Sequence, residues 1–233
     1  MKYARTVEAR FLDRPNRFIA HVELEGKTET VHVKNTGRCK ELLIPGCTVI
    51  LSVADNPERK TKYDLVAVYK EGLGLVNMDS QAPNVVVGEY LSASSDITYL
   101  KPEYKFGDSR IDFYFEKGET KCLMEVKGVT LEKEGIAYFP DAPTQRGVKH
   151  IYELMKAKAQ GYEAYLAFVV QMEGIQQVLP NRKTHPEFAQ AYQEAVVNGV
   201  QVVTFVCGVR EDCLWIDKGF LLVPGEGGIR MIG

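Results

Sequence analysis

Asp112 and the run Glu125-Val126-Lys127 lie in one stretch, Ile111–Lys127, that can bring two carboxylates and an ammonium together. Between them lies Gly118-Glu119, a Gly-X pair suited to a two-residue type II′ turn. With that turn at the tip, Lys117 faces Thr120, Phe115 faces Cys122, Phe113 faces Met124 and Ile111 faces Val126. The last three pairs form one apolar face. The opposite face pairs Tyr114 with Leu123 and Asp112 with Glu125, and the period of two places Lys127 beside Glu125. Directly opposed side chains have Cβ atoms about 4.5–5.5 Å apart. Two carboxylates so placed repel each other unless a cation sits between them.

Mg²⁺ or Mn²⁺ suits such a site, because a hard cation takes one or two carboxylates and completes its shell with water and phosphate oxygens. Asp112, Glu125 and the Val126 carbonyl are the predicted ligands. Lys127 can position or deprotonate an attacking water, or stabilise charge developing on a phosphoryl group. This is the chemistry of phosphodiester hydrolysis. The competing reading is an ordinary Glu–Lys pair on one face of a strand. Burial of the second strand favours the metal site, since unpaired charge inside a covered sheet is costly.

A second group follows at the helix start Thr144-Gln145-Arg146-Gly147-Val148-Lys149-His150. Arg146, Lys149 and His150 share a helix face by their i, i+3, i+4 spacing, and N–H groups at a helix start attract phosphate. A solvated basic face, or a hydrogen-bonded half-buried His150, is the alternative.

These residues need a scaffold. Val7–Leu12, Phe18–Leu24, Thr28–Val33, Cys47–Ala54 and Tyr63–Tyr69 read as short strands, with turns at Arg14-Pro15-Asn16 and Glu25-Gly26-Lys27. Five strands in about 75 residues suggest a small barrel of the OB type, though other small barrels fit nearly as well. The break between domains is placed near Gln81-Ala82-Pro83-Asn84, dividing the chain into 1–80 and 81–233. Asn84 is read as capping a short helix through Ala93. Strands are expected at Ile97–Tyr104, Ser109–Glu116 and Thr120–Lys127. A helix from Thr144 to about Gln160 is ended by Gly161. The apolar strand Ala164–Gln171, a helix from Pro186 to Asn198-Gly199 and the strand Val200–Gly208 complete a mixed sheet flanked by helices, an α/β domain.

Composition narrows the setting. The 233 residues carry 29 Lys and Arg against 31 Asp and Glu, a net charge of −2. Residues 1–70 hold 13 basic against 9 acidic residues, and the remainder 16 against 22. The first third is the basic one, and its candidates for phosphate contact are Arg14, Arg17, Arg38, Lys40, Arg59, Lys60 and Lys62. Arg17 and Arg38 are favoured because each sits at a turn. Of the possible stacking aromatics Phe18, Tyr63 and Tyr69, Phe18 is expected in the core. No apolar run is long enough for a membrane span, and the start of the chain lacks an apolar signal core. Five scattered cysteines without a C-x-x-C favour reduced thiols in the cytoplasm.

Six ordered motifs resemble the sugar fermentation stimulation protein A (SfsA) family over nearly the whole chain. They are Arg14-Pro15-Asn16-Arg17-Phe18, Asn35-Thr36-Gly37-Arg38, Ser109-Arg110-Ile111-Asp112-Phe113, Glu125-Val126-Lys127, Phe139-Pro140-Asp141-Ala142-Pro143-Thr144, and Arg146-Gly147 with Lys149-His150. Cys39 and the run Val76-Asn77-Met78-Asp79 depart from the family's pattern. The resemblance implies an N-terminal OB-like domain and a C-terminal domain of the PD-(D/E)XK nuclease fold. It also implies DNA binding without strong sequence preference and a regulatory link to sugar (maltose) metabolism. It gives Asp112 and Glu125 the role of metal-binding acids and Lys127 that of the catalytic lysine. A DNA-binding regulator that keeps the fold without cleaving is the alternative.

Overall fold

The computed structural model describes every residue except Thr36, Pro57, residues 224–227 and Gly233. Thr36 of the Asn35–Arg38 motif therefore lies outside the described residues. The chain begins with β1 (Thr6–Asp13), β2 (Ile19–Leu24), β3 (Lys27–Val33), β4 (Thr48–Val53), β5 (Tyr63–Lys70) and β6 (Gly74–Asn77). The order is β3-β2-β1-β4-β5-β6, and a parallel pairing of β3 with β5 closes the first five strands into a barrel. Alternation decides what lies inside: Ala20, Val22, Val31 and Val33 are buried while their neighbours face outward.

Phe18 departs from the expectation. It is 51 % exposed, because β2 starts one residue later. The Asn16 side chain accepts the N–H groups of both Phe18 and Ile19, at 2.9 and 3.1 Å. That turn leaves Phe18 on the rim beside Arg17. The short strand β6 was also not foreseen.

The chain leaves the barrel sheet after Asn77 and enters α1 (Ala82–Ala93). Strands β7 (Tyr99–Phe106), β8 (Ser109–Lys117), β9 (Thr120–Val129), β10 (Leu131–Lys133) and β11 (Ile136–Phe139) follow. Then come α2 (Gln145–Ala159), β12 (Glu163–Val170), β13 (Gln177–Pro180), α3 (Pro186–Val197), β14 (Gln201–Arg210), β15 (Cys213–Val223) and β16 (Gly228–Ile232). Seven strands form one sheet in the order β16-β15-β14-β12-β9-β8-β7. Its central strands β9, β12 and β14 are parallel and its flanks antiparallel, so this is the expected mixed sheet. A small sheet β10-β11-β13 and the strands β15 and β16 extend beyond what the sequence reading placed.

Helix α1 covers one face, packing Val86, Val87 and Leu91 on Phe113, Phe115, Met124 and Val126. Helices α2 and α3 cover the other, where Ile151 and Leu154 join Tyr114 and Leu123. Each fully buried Val or Leu contributes about 1.5–3 kcal/mol, which fixes both faces. Thr144 caps α2 as expected, its hydroxyl accepting the Gly147 N–H at 3.0 Å. Gly161 follows α2 with φ +89°. Asn84 does not cap α1: the N-cap residue is Gln81, without a side-chain bond, and Pro83 occupies the first turn. Among the described residues no helix is long and apolar enough to cross a membrane.

Candidate functional site

The β8–β9 hairpin has the register that its turn dictates. Lys117 pairs with Thr120, Phe115 with Cys122, Tyr114 with Leu123 and Phe113 with Met124. Gly118 takes φ +58° at the first turn position, and Glu119 is not among the positive-φ residues, as a type II′ turn requires. The ladder then stops. Asp112 does not sit opposite Glu125 as a paired residue; its Oδ2 accepts the Val126 N–H at 2.8 Å. The aspartate side chain therefore takes the place of a backbone carbonyl where the two strands part. The chain turns over at this point, so Ile111 packs on the α2 face although Phe113 packs on the α1 face. The single apolar face expected for Ile111, Phe113 and Phe115 is thus corrected at its last residue.

Glu125 is 2 % exposed. Lys127 Nζ donates to its Oε1 at 2.6 Å, and His150 Nδ1 bonds the same oxygen. Arg146 Nε donates to His150 Nε2 at 3.4 Å, so the ring is held from both sides. The other carboxylate oxygen, Glu125 Oε2, is buried without a partner among the described residues. Burial alone would push the Glu125 carboxyl up, but His150 and Lys127 outweigh it and hold the group below its usual value. Asp112 moves the other way: burial raises it first and the Glu125 charge second, against the opposing Val126 N–H. Asn84 Nδ2 donates to Asp112 Oδ1 at 2.8 Å. The first turn of α1 thereby orients the aspartate.

Asp112, Glu125, Val126, Lys127, Arg146 and His150 line one cleft of 510 Å³, with Ser80, Asn84 and Glu103 also in its wall. Lys149 is not there; its ammonium donates to the Asp108 carbonyl at 3.3 Å. The shared-face reading therefore holds for Arg146 and His150, and His150 is a buried partner of Glu125, not a surface base. Among the described residues no three His, Cys, Asp or Glu side chains form a ready metal cage. The two carboxylates nevertheless suit a hard cation: one buried oxygen has no partner among the described residues, and the other carboxyl is raised by burial and then by its neighbour's charge. Such an ion would complete its shell with backbone, water or phosphate oxygens.

Comparison with known proteins identifies this architecture. Residues 12–78 match the SfsA N-terminal OB domain, and residues 81–213 match the sugar fermentation stimulation protein RE domain. A sugar fermentation stimulation protein homolog of Desulfitobacterium hafniense (strain Y51) is 55% identical over 216 residues, covering 92% of this chain and 94% of that protein. The chain belongs to the SfsA family. The homolog of Ruminiclostridium cellulolyticum is 51% identical over 94% of this chain and 97% of its own length. The solved structure of Pyrococcus furiosus SfsA in complex with Ca²⁺ aligns with a TM-score of 0.81 at 25% identity, covering 93% of this chain and 95% of that one.

Three SfsA-family motifs distant in sequence meet beside the carboxylates. A second cleft, of 500 Å³, is lined by Arg17 and Arg38 from the barrel and by Asp141 and Thr144 from the other domain; it shares Ser80 with the first. Gly37 permits this approach, since a Cβ there would lie 2.6 Å from Asp141 Oδ2. Arg14 is a loop clamp, donating to the Gly37 and Arg38 carbonyls at 2.9 Å and to the Arg17 and Asn35 carbonyls at 2.6 Å. Arg59 is paired with Asp64 at 2.8 Å. These two candidates for phosphate contact are occupied, whereas Arg17 and Arg38 are exposed at the cleft.

A polar network closes part of the seam between the domains, beside the apolar contact of Val76 and Met78 with Met172. Asp79 is fully buried. It pairs with Lys34 at 2.8 Å and accepts from Tyr3 Oη at 3.2 Å. Gln171 donates to Asn77 Oδ1 at 2.9 Å and to the Asp79 carbonyl at 3.0 Å. Sequence reasoning missed this network and the role of Asn84. Pro83 was the usable signal for Asn84, because a proline in a first turn moves the cap upstream.

Proposed function

We propose that the chain binds DNA largely irrespective of sequence, and that the Asp112–Glu125–Lys127 cleft is a phosphodiesterase site dependent on Mg²⁺ or Mn²⁺. The observation that carries this reading is the convergence of a buried carboxylate with an unpartnered oxygen, a half-buried aspartate and an ammonium in a cleft that Arg146 also lines, next to the cleft lined by Arg17 and Arg38. Asp112, Glu125 and the Val126 carbonyl would hold the ion. A bound divalent ion supplies Lewis-acid polarisation of the phosphate and a more acidic water. The Ca²⁺ in Pyrococcus furiosus SfsA supports a hard-cation site.

This chain's own groups do the rest. The arginines hold backbone phosphates. Lys127 places its charge where the phosphoryl oxygens gain negative charge. His150, backed by Arg146, keeps Glu125 ionised and oriented. The relatives' shared name points the DNA-binding activity toward control of sugar fermentation.

A second reading is a regulator that binds without cutting. The observation favouring it is that Lys127 and His150 both hold the same Glu125 oxygen, so that oxygen is already engaged by this chain's own groups. One experiment separates the two: single-stranded, duplex and nicked DNA incubated with Mg²⁺ or Mn²⁺, wild type against Lys127→Ala. Cleavage lost in the variant with binding retained supports the phosphodiesterase. Binding without cleavage of any substrate leaves the regulator. Three phosphate-contacting arginines give a log–log salt dependence of roughly −3. Absence of binding even at low salt overturns both.

A further inference from the structure

A third concavity lies beyond the interdomain cleft, between β13, α3 and the β14–β15 face. It is the largest of the three, at 670 Å³, and shares Leu131 and Tyr138 with the Arg17–Arg38 cleft. That cleft in turn shares Ser80 with the carboxylate cleft. Each cavity thus shares wall residues with the next. We infer that the third cavity receives an unpaired base of the bound DNA, so that the substrate of the site is a single strand and not an intact duplex. This rests on the DNA-binding reading above and names the substrate class for it.

The lining carries the inference. Tyr192, Val202 and Leu222 give apolar walls, and Tyr192 is backed by Phe168 with ring centroids 6.2 Å apart. Gln176, Gln177 and Gln193 bring side-chain amides, each both donor and acceptor. Lys133, Arg182 and Lys183 are exposed at the edge. Among the described residues no Asp or Glu lines this cavity, in a chain whose net charge is −2.

Each part answers one part of a nucleotide. Flat apolar walls take the base face, amides take its edge, and cations take the phosphate. Asn181 also lines the cavity, but its amide already donates to the Pro140 carbonyl at 3.1 Å and accepts from the Thr184 N–H at 3.3 Å. It shapes the wall. An aliphatic ligand would leave the glutamine amides unmatched, and a cationic one would meet only like charge. A base inside a duplex has its edge paired and its faces stacked, so only an unpaired or extruded base can enter. Tyr138, between the two spaces, is placed to stack on the nucleotide that passes from one to the other.

The test uses the full chain without divalent ions. Fluorescence anisotropy compares a labelled oligothymidylate, longer than the ~4–16 nucleotides one OB fold covers, with a blunt duplex of equal length. The wild type is expected to bind the single strand about tenfold more tightly or better. Tyr138→Ala and the exposed double variant Arg182→Ala/Lys183→Ala should each weaken single-strand binding by roughly tenfold, with duplex binding changed less than about twofold. Tyr138→Phe should restore it, and unchanged thermal melts of the exposed double variant exclude misfolding. Equal affinity for both DNA forms, or no effect of these variants on the single strand, overturns the inference. So does thymidine monophosphate binding as tightly as the oligomer, which would make the cavity a free-nucleotide receptor. Failure of the DNA-binding reading itself looks different: neither DNA form binds at low salt.

Discussion

Replacing Lys127 with methionine keeps most of the side chain's volume and removes its charge together with its hydrogen bond to Glu125. Glu125 is 2 % exposed, and its Oε1 is held by both Lys127, at 2.6 Å, and His150. Removing one partner of a buried ion pair costs about 3–5 kcal/mol. His150 remains, so the lower end applies and about 3 kcal/mol is expected. For a chain of this size that lowers Tm by about 6–12 °C. The pH dependence gives a second handle. The Glu125 carboxyl lies below its ordinary value in the folded protein, so its stabilisation is present above that value and is lost as the pH falls through the folded pKa. In Lys127→Met the carboxyl rises, so the gap between the two proteins is full at neutral pH and closes as the pH falls below the ordinary carboxyl value of 4.5. Urea unfolding with EDTA present, across this pH range, measures both effects. Pairing the change with Glu125→Gln should recover part of the loss, a coupling that a double-mutant cycle reads directly. A loss under about 0.5 kcal/mol at neutral pH, the size of an ordinary surface change, would show that Glu125 is not a desolvated charge and would remove the ground for calling this a built site.

Three further outcomes follow from the same geometry. Asp112 is raised by burial and by Glu125, so divalent-ion affinity, read by calorimetry, should fall off at a higher pH than an ordinary aspartate of 3.8 would give; in Glu125→Gln the Asp112 midpoint, followed by carboxyl ¹³C NMR, should move down. Gly128→Ala would place a Cβ 2.7 Å from both Gln171 Oε1 and Pro83 Cγ, and should destabilise by about 1–3 kcal/mol in urea unfolding, the usual cost of overpacking. Phe18→Ala should leave the thermal melt in place, because the ring is exposed, while weakening single-stranded DNA binding by about 1–3 kcal/mol in anisotropy titrations.

The hairpin was legible because its turn chemistry and side-chain alternation are local: Gly118 sets the register, and the register carries Phe113, Phe115 and Met124 to their partners. What failed was where backbone pairing ends. Whether a side chain such as Asp112 replaces a carbonyl in a ladder depends on strand divergence, which no short-range pattern encodes. Asn84 shows the same limit from the helical side: its type suggested a cap, but a partner 28 positions away, Asp112, claimed its amide. Phe18 was misplaced because an apolar residue next to a strand reads as part of it, whereas the Asn16 turn holds it outside. The three-residue β10 and four-residue β11 and β13 are too short to show a period. The six ordered motifs did point to the family and so to both folds, which the family match and the architecture bear out.

The polar part of the seam also limits how such proteins can be recombined. Lys34, Asn77 and Asp79 come from one side of the junction and Gln171 from the other. A chimera that grafts a foreign barrel without matching all four would strand at least one carboxylate or amide away from water, where each orphaned group costs about 1–3 kcal/mol. The two halves must therefore be exchanged as a coordinated set, and a hybrid that ignores this would fail in the cell by instability before its chemistry could be assayed.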